Sequence, residues 1–142
     1  MTAKEYLGQI RRLDKMIENK IETVARLRER ATSVTAPMGE KINVKTSPCH
    51  DNLEKTIVKI ADFERSIDAD VKKLLETKRE IMSTIDSIDD ADFINLLYQR
   101  YVFYKPWFKI ASAMNYSEQH IFRLHGKALI KIQSIINKRN DT

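Results

Sequence analysis

Five residues near the C-terminal end, Ser117, Glu118, Gln119, His120 and Arg123, have the types and spacing to read a nucleobase edge. A glutamine amide can pair bidentately with adenine, and an arginine guanidinium with guanine, when a helix carries them into a major groove. Lys127 and Lys131 follow later in the same helix. Ammonium groups suit phosphates, which set register and orientation but carry no sequence information. Arg100, Lys105 and Lys109 lie upstream and are further phosphate candidates.

Other chemistries fit the residues less well. His120 and His125 are five apart and do not share a helical face, and Cys49–His50 has no partner at metal-ligand spacing, so no metal or cofactor is expected. Asp89–Asp90 is a pair of acids without an implied nucleophile or orienting histidine, and no enzyme activity is expected. The aromatic group Phe103, Tyr104, Trp107 and Phe108 could stack on unpaired bases. Its ordinary place in a small helical domain is the core, which is the expectation adopted here, above all for Trp107.

Three short helices must position the candidates. The first spans about Ala91 to Tyr101, and Lys105–Pro106 then turns the chain. The second, about Pro106 to Met114, offers Trp107, Ile110, Ala111 and Met114 on one face. Asn115 suits the left-handed conformation of a tight turn, and Ser117 is a natural N-cap for the third helix. The inner face of that helix would be Ile121, Leu124, Ala128, Leu129 and Ile132, with the small Ala111 allowing a close crossing. This is the plan of a helix-turn-helix, whose second helix presents its N-terminal residues to the major groove. From Phe93 to Asn140 the chain holds eight basic residues and one acid, Glu118, a net charge of +7 that would attract a polyanion.

The remainder reads as coiled coil. Ala3, Ile10, Ile17, Val24 and Ala31 recur every seven residues, with Tyr6, Leu13 and Leu27 as the second seam and Lys20 interrupting it. Asp51 and Glu54 have capping-box spacing ahead of a second helix, in which Leu53, Ile60, Ile67, Leu74, Ile81 and Ile88 repeat without a miss. Ile57, Glu64, Val71, Lys78 and Ile85 form its expected companion seam. At 1.5 Å per residue this helix would be about 55 Å long. The polar seam residues Lys20, Glu64 and Lys78 set register or lie at a wet rim. An antiparallel hairpin is the economical arrangement, and a parallel dimer through the same seam is the competing one. Between the helices, residues 32–50 lose periodicity and hold Pro37, Gly39 and Pro48; they read as a long, mobile connection, with a short extended piece around Ile42 to Val44. The acids Asp86, Asp89, Asp90 and Asp92 mark a boundary at Ser87 to Asp90, since acids suit the start of a helix.

Composition agrees with that plan. The 142 residues are 42% hydrophobic and 32% charged, with three glycines, three prolines and one cysteine. Long amphipathic helices tolerate such a balance, whereas a sandwich, a barrel or a glycine-cradled nucleotide fold does not. No disulfide framework can form, and no run of eighteen apolar residues exists to cross a membrane. The expected fold is therefore all-α: a helical hairpin or coiled coil over 1–88 and a helix-turn-helix domain over 89–142. The expected location is the cytoplasm.

The run from Trp107 to Leu129, WFKIASAMNYSEQHIFRLHGKAL, resembles region four of bacterial sigma factors. The resemblance rests on Ile110–Ala111, the turn Asn115–Tyr116–Ser117, Ile121 and Ala128–Leu129, with Leu97 to Tyr101 upstream similar to that region's Leu-x-x-Arg-Tyr. It departs at Asn115, where the pattern has glycine, at Gly126 within the third helix, and at Glu118, where a basic residue is common. The whole layout is similar to small phage and prophage regulators with an N-terminal coiled region. That resemblance implies double-stranded DNA as a ligand, transcription regulation in a bacterial host cell, RNA polymerase as a protein partner, and self-association through the coiled region. The other sigma regions have no counterpart in the pattern, so promoter melting is not implied. Two alternatives stand beside it: a small terminase-like subunit that recognises DNA for packaging, and a coiled-coil interaction module that does not bind DNA.

Overall fold

The computed structural model describes residues 1–35 and 47–141, and all the regular structure among them is helical. The protein is all-α. Helix α1 (Ala3–Leu7) opens at Thr2, whose hydroxyl accepts from the Glu5 amide while the Glu5 carboxylate accepts from the Thr2 amide. Gly8 separates α1 from α2 (Gln9–Thr35) without a break in direction, because its φ of −75° is helical and its carbonyl accepts from the Arg12 amide. Helix α3 (Ser47–Asp86) follows. It begins four residues before the expected cap at Asp51, because Pro48 falls in its first turn, where a proline's missing N–H has no helical acceptor to lose. Ends of the expected connection are thus helical, at Thr32–Thr35 and Ser47–His50, while Pro37, Gly39 and the extended piece around Ile42 to Val44 lie outside the described residues.

Helix α4 (Ala91–Leu97) starts at Asp90, whose carboxylate accepts from the amides of Asp92 and Phe93. It runs on into a π-helical turn, Tyr98–Val102, closed by the Phe103 amide on the Tyr98 carbonyl at 2.9 Å. Helix α5 (Trp107–Met114) and helix α6 (Glu118–Asn140) complete the chain.

The chain divides into two compact units, and not at the expected boundary of residue 88. One unit comprises Met1–Asp14 and Leu74–Thr142, the other Lys15–Lys73, so that α2 and α3 each contribute to both. The first unit is organised by α6, which packs against α1, α4 and α5. Its main core joins Leu7 and Ile10 to Ile81 and Ile85, and both to Leu97, Ala128 and Ile132. The first fourteen residues and the end of α3 therefore belong with 89–142, because their apolar faces are covered by the later helices. A polar bridge crosses this core, with the Tyr6 and Thr84 hydroxyls 2.9 Å apart and the Arg139 guanidinium 3.3 Å from the same phenol.

In the second unit, Lys20 on α2 reaches Ser66 at 2.6 Å and Asp70 at 2.5 Å on α3, and Arg28 pairs with Glu64. Partner numbers fall on α3 as they rise on α2, so the two segments run antiparallel. Their seam corrects the expected one. Leu53, Ile60 and Ile67 are half-buried as foreseen, but the companion line is Thr56, Phe63 and Asp70, while Ile57, Glu64 and Val71 are exposed. Positions three and four residues after each heptad isoleucine both flank it. Lys20 draws Asp70 inward, and the apolar alternative turns outward.

Candidate nucleic-acid interface

A second, smaller core sits between the last three helices: Leu96 of α4, Ile110 and Ala111 of α5, and Ile121 of α6. Ala111 and Ile121 are both buried, as their pairing across a close helix crossing requires. Between α5 and α6 the turn is three residues long. Asn115 takes the left-handed conformation (φ 59°, ψ 39°), its amide bonding back to the carbonyls of Ala111 and Ser112. Ser117 is extended, and its hydroxyl accepts from the His120 amide at 3.1 Å, capping α6. Tyr116 ties the turn to the start of α4 by donating to Asp92 at 2.8 Å, which raises the phenol's pKa. Its ring meets His120 edge-on at 4.5 Å.

On this frame the base-reading candidates come together on the first two turns of α6. Ser117, Glu118, Gln119 and Arg123 are exposed, and His120 is half-buried against Tyr116. Lys127 and Lys131 continue the exposed line. Among the described residues Gln119, Arg123, Lys127 and Lys131 have no hydrogen bond or ion pair through their side chains. Lys109, on α5, is exposed as well, and Lys105 is half-buried in the turn before it.

Arg100 stands apart from the other phosphate candidates. Its guanidinium lies over the Trp107 ring, 4.3 Å from the centroid, and donates to the Lys105 carbonyl at 3.1 Å. It thus fastens the end of α4 to the start of α5 and is turned into the unit. The Trp107 ring also meets His125 at 4.7 Å and Phe122 at 5.3 Å, both edge-on.

Aromatic residues are where sequence reasoning was most in error. Phe103 and Phe108 are 55% and 60% exposed, not in the core. An eight-residue helix buries a single stripe, here Ile110 and Ala111 with Trp107 and Met114 partly covered. Phe108, about 100° around from Trp107, misses that stripe. Tyr104 has a left-handed backbone (φ 59°), donates to Asp14, and lies beneath the Arg11 guanidinium.

His125 was missed as a core residue. It is buried on α6 with Nε2 2.7 Å from the Tyr101 hydroxyl and its ring stacked on that phenol. Burial, with the charges of Lys4 and Arg100 adding to it, pushes its pKa down to about 4, so the ring is neutral near pH 7. The available signal was its position four residues after Ile121 and three before Ala128, in line with the inner face.

Among the described residues no cluster of three or more His, Cys, Asp or Glu side chains could hold a metal ion, and no helix is long and apolar enough to cross a membrane. No protein-family model, curated protein or solved structure matches the chain.

Proposed function

We propose that this protein is a phage-type transcriptional regulator that binds double-stranded DNA through α5, the turn 115–117 and α6. One observation carries the reading: Gln119, Arg123, Lys127 and Lys131 form an exposed polar line, unpaired among the described residues, along a helix whose opposite side is locked into two cores. In this reading α6 enters the major groove. Gln119 and Arg123 read adenine and guanine, and Glu118 accepts from cytosine. Lys109, Lys127 and Lys131 hold phosphates, with Lys105 beside them, and Arg100 acts only as a clamp. The net charge of +7 over Phe93 to Asn140 supplies the non-specific part of the affinity. The antiparallel segments of α2 and α3 would engage a protein partner, for which RNA polymerase is the candidate, or a second copy of the chain. The protein acts by binding and not by catalysis.

Selection of bound fragments from the source genome, followed by titration at several salt concentrations, tests this. A selected duplex should bind far more tightly than unrelated DNA, and more weakly as salt rises. Arg123→Ala and Gln119→Ala should each lose about 1–3 kcal/mol of discrimination at one base position. Lys127→Ala should weaken all duplexes about equally and lower the salt slope by about one. Failure to bind any duplex in dilute buffer overturns the reading. The exposed Phe103 and Phe108 favour the interaction-module alternative, in which these substitutions have no effect on the partner bound. A large ring in solution would instead favour a packaging subunit.

A further inference from the structure

Beside the polar line of α6 lies a strip of a different kind. Phe122 is 48% exposed, one turn after Gln119. Trp107 packs against its ring in a T-shaped contact, with centroids 5.3 Å apart, so the ring is propped in place while much of it stays open to solvent. One turn further along the same face is Gly126. A Cβ built there would meet nothing within 4 Å, and its φ is not positive. Glycine is the poorest helix former after proline, so this position works against the helix. Neither packing nor backbone conformation inside the molecule calls for it. What the missing side chain does provide is a low place on the helix surface where another molecule's backbone can come close.

We infer that Phe122 is a specificity-determining residue that contacts the C5-methyl group of a thymine, and that Gly126 lets the duplex backbone run against α6. The inference rests on the DNA reading above and names one base within it. Thymine's methyl is the apolar group that a major groove displays, and an aromatic side chain is a suitable partner for it. The ring already held by Trp107 gives up little freedom on binding. Gln119 lies one turn before Phe122 and Arg123 one turn before Gly126, so the strip borders the polar line, whose charge favours a polyanion as the occupant.

The experiment uses the full chain and its selected duplex, with each thymine replaced in turn by deoxyuridine, which differs only in lacking the methyl. At one position the wild-type protein should lose about fourfold in affinity, the worth of one methyl group taken from water. Phe122→Ala should bind the thymine and deoxyuridine forms of that site alike, and Phe122→Leu should keep part of the difference. Gly126→Ala should melt a few degrees higher than wild type yet bind the duplex at least about fivefold more weakly. The inference is overturned if the selected duplex binds but no deoxyuridine substitution matters, if Phe122→Ala discriminates as well as wild type, or if Gly126→Ala binds with unchanged affinity. A wild-type protein that binds no duplex fails the DNA reading itself, and this inference with it.

Discussion

Ile57, Val71 and Ile85 lie on one heptad line of α3 and meet opposite fates. In the unit of Lys15–Lys73, Ile57 is 54% exposed and Val71 36%. In the unit built from Met1–Asp14 and Leu74–Thr142, Ile85 is wholly buried. The difference is the number of elements available to cover a helix. Two antiparallel segments can cover one stripe on each other, and there the stripe includes a polar layer, Lys20 with Asp70 and Ser66. Where α4 and α6 are added, α3 is enclosed on a wider arc, and Ile81, Thr84 and Ile85 all become inaccessible. A repeat of apolar residues therefore reports what a helix can bury, and its neighbours decide how much of that is used.

Truncations at equivalent heptad positions should break or confirm this contrast. Ile81→Ala opens a cavity in a fully enclosed site and should cost about 3–4 kcal/mol in urea denaturation, whereas Ile67→Ala, half-exposed, should cost about 1–2 kcal/mol. Equal losses would mean that the two seams are equally well covered.

Acid should act next most strongly, through His125. With a pKa near 4 in the folded protein and about 6.5 in the unfolded chain, this histidine takes up its proton earlier on unfolding. Its contribution is complete above about pH 6.5 and is lost as pH falls towards 4, on the order of 3 kcal/mol in all. His125→Gln should flatten stability measured between pH 6.5 and 4.5, and an unchanged slope would show that another group is responsible.

The polar layer of the two-helix unit gives a smaller effect. Lys20→Ala leaves Asp70 without its cation and should cost about 1–2 kcal/mol, less than for a fully buried pair because both side chains keep some contact with water. Replacing both Lys20 and Asp70 with leucine should be neutral or stabilising, at the expense of register. Ser117→Ala should cost about 1 kcal/mol by removing the cap of α6, and a weakened start to that helix should also weaken DNA binding. Circular dichroism melts and duplex titrations check the two halves of that expectation.

Local patterns in the chain were read well. The turn residues Asn115 and Ser117, the helix start after the acids at 89–90 and the burial of Ile110, Ala111, Ile121, Ala128 and Ile132 follow from short-range rules of backbone conformation and helical period. The heptad residues from Ile10 to Val24 and from Leu53 to Ile88 are covered for the same reason. Less legible was everything that depends on a distant partner. The companion line of α3 could be Thr56, Phe63 and Asp70 or Ile57, Glu64 and Val71, and composition alone favoured the second. The candidate interface was legible as a set of residue types, yet Arg100 looked like its neighbours until Trp107 was seen beneath it. Phe103 and Phe108 looked like core residues because they are large and apolar, and helix orientation left them outside.

From its sequence alone this chain is bound to be helical, with a tight turn before Ser117 and a cationic C-terminal third, because propensity, capping and charge act over a few residues. Tertiary packing decided which side of each helix is covered, drew Met1–Asp14 and the end of α3 to α6, and buried His125 while leaving Phe122 open. Those outcomes depend on how far each helix is rotated about its axis, and that rotation is set by the surface packed against it.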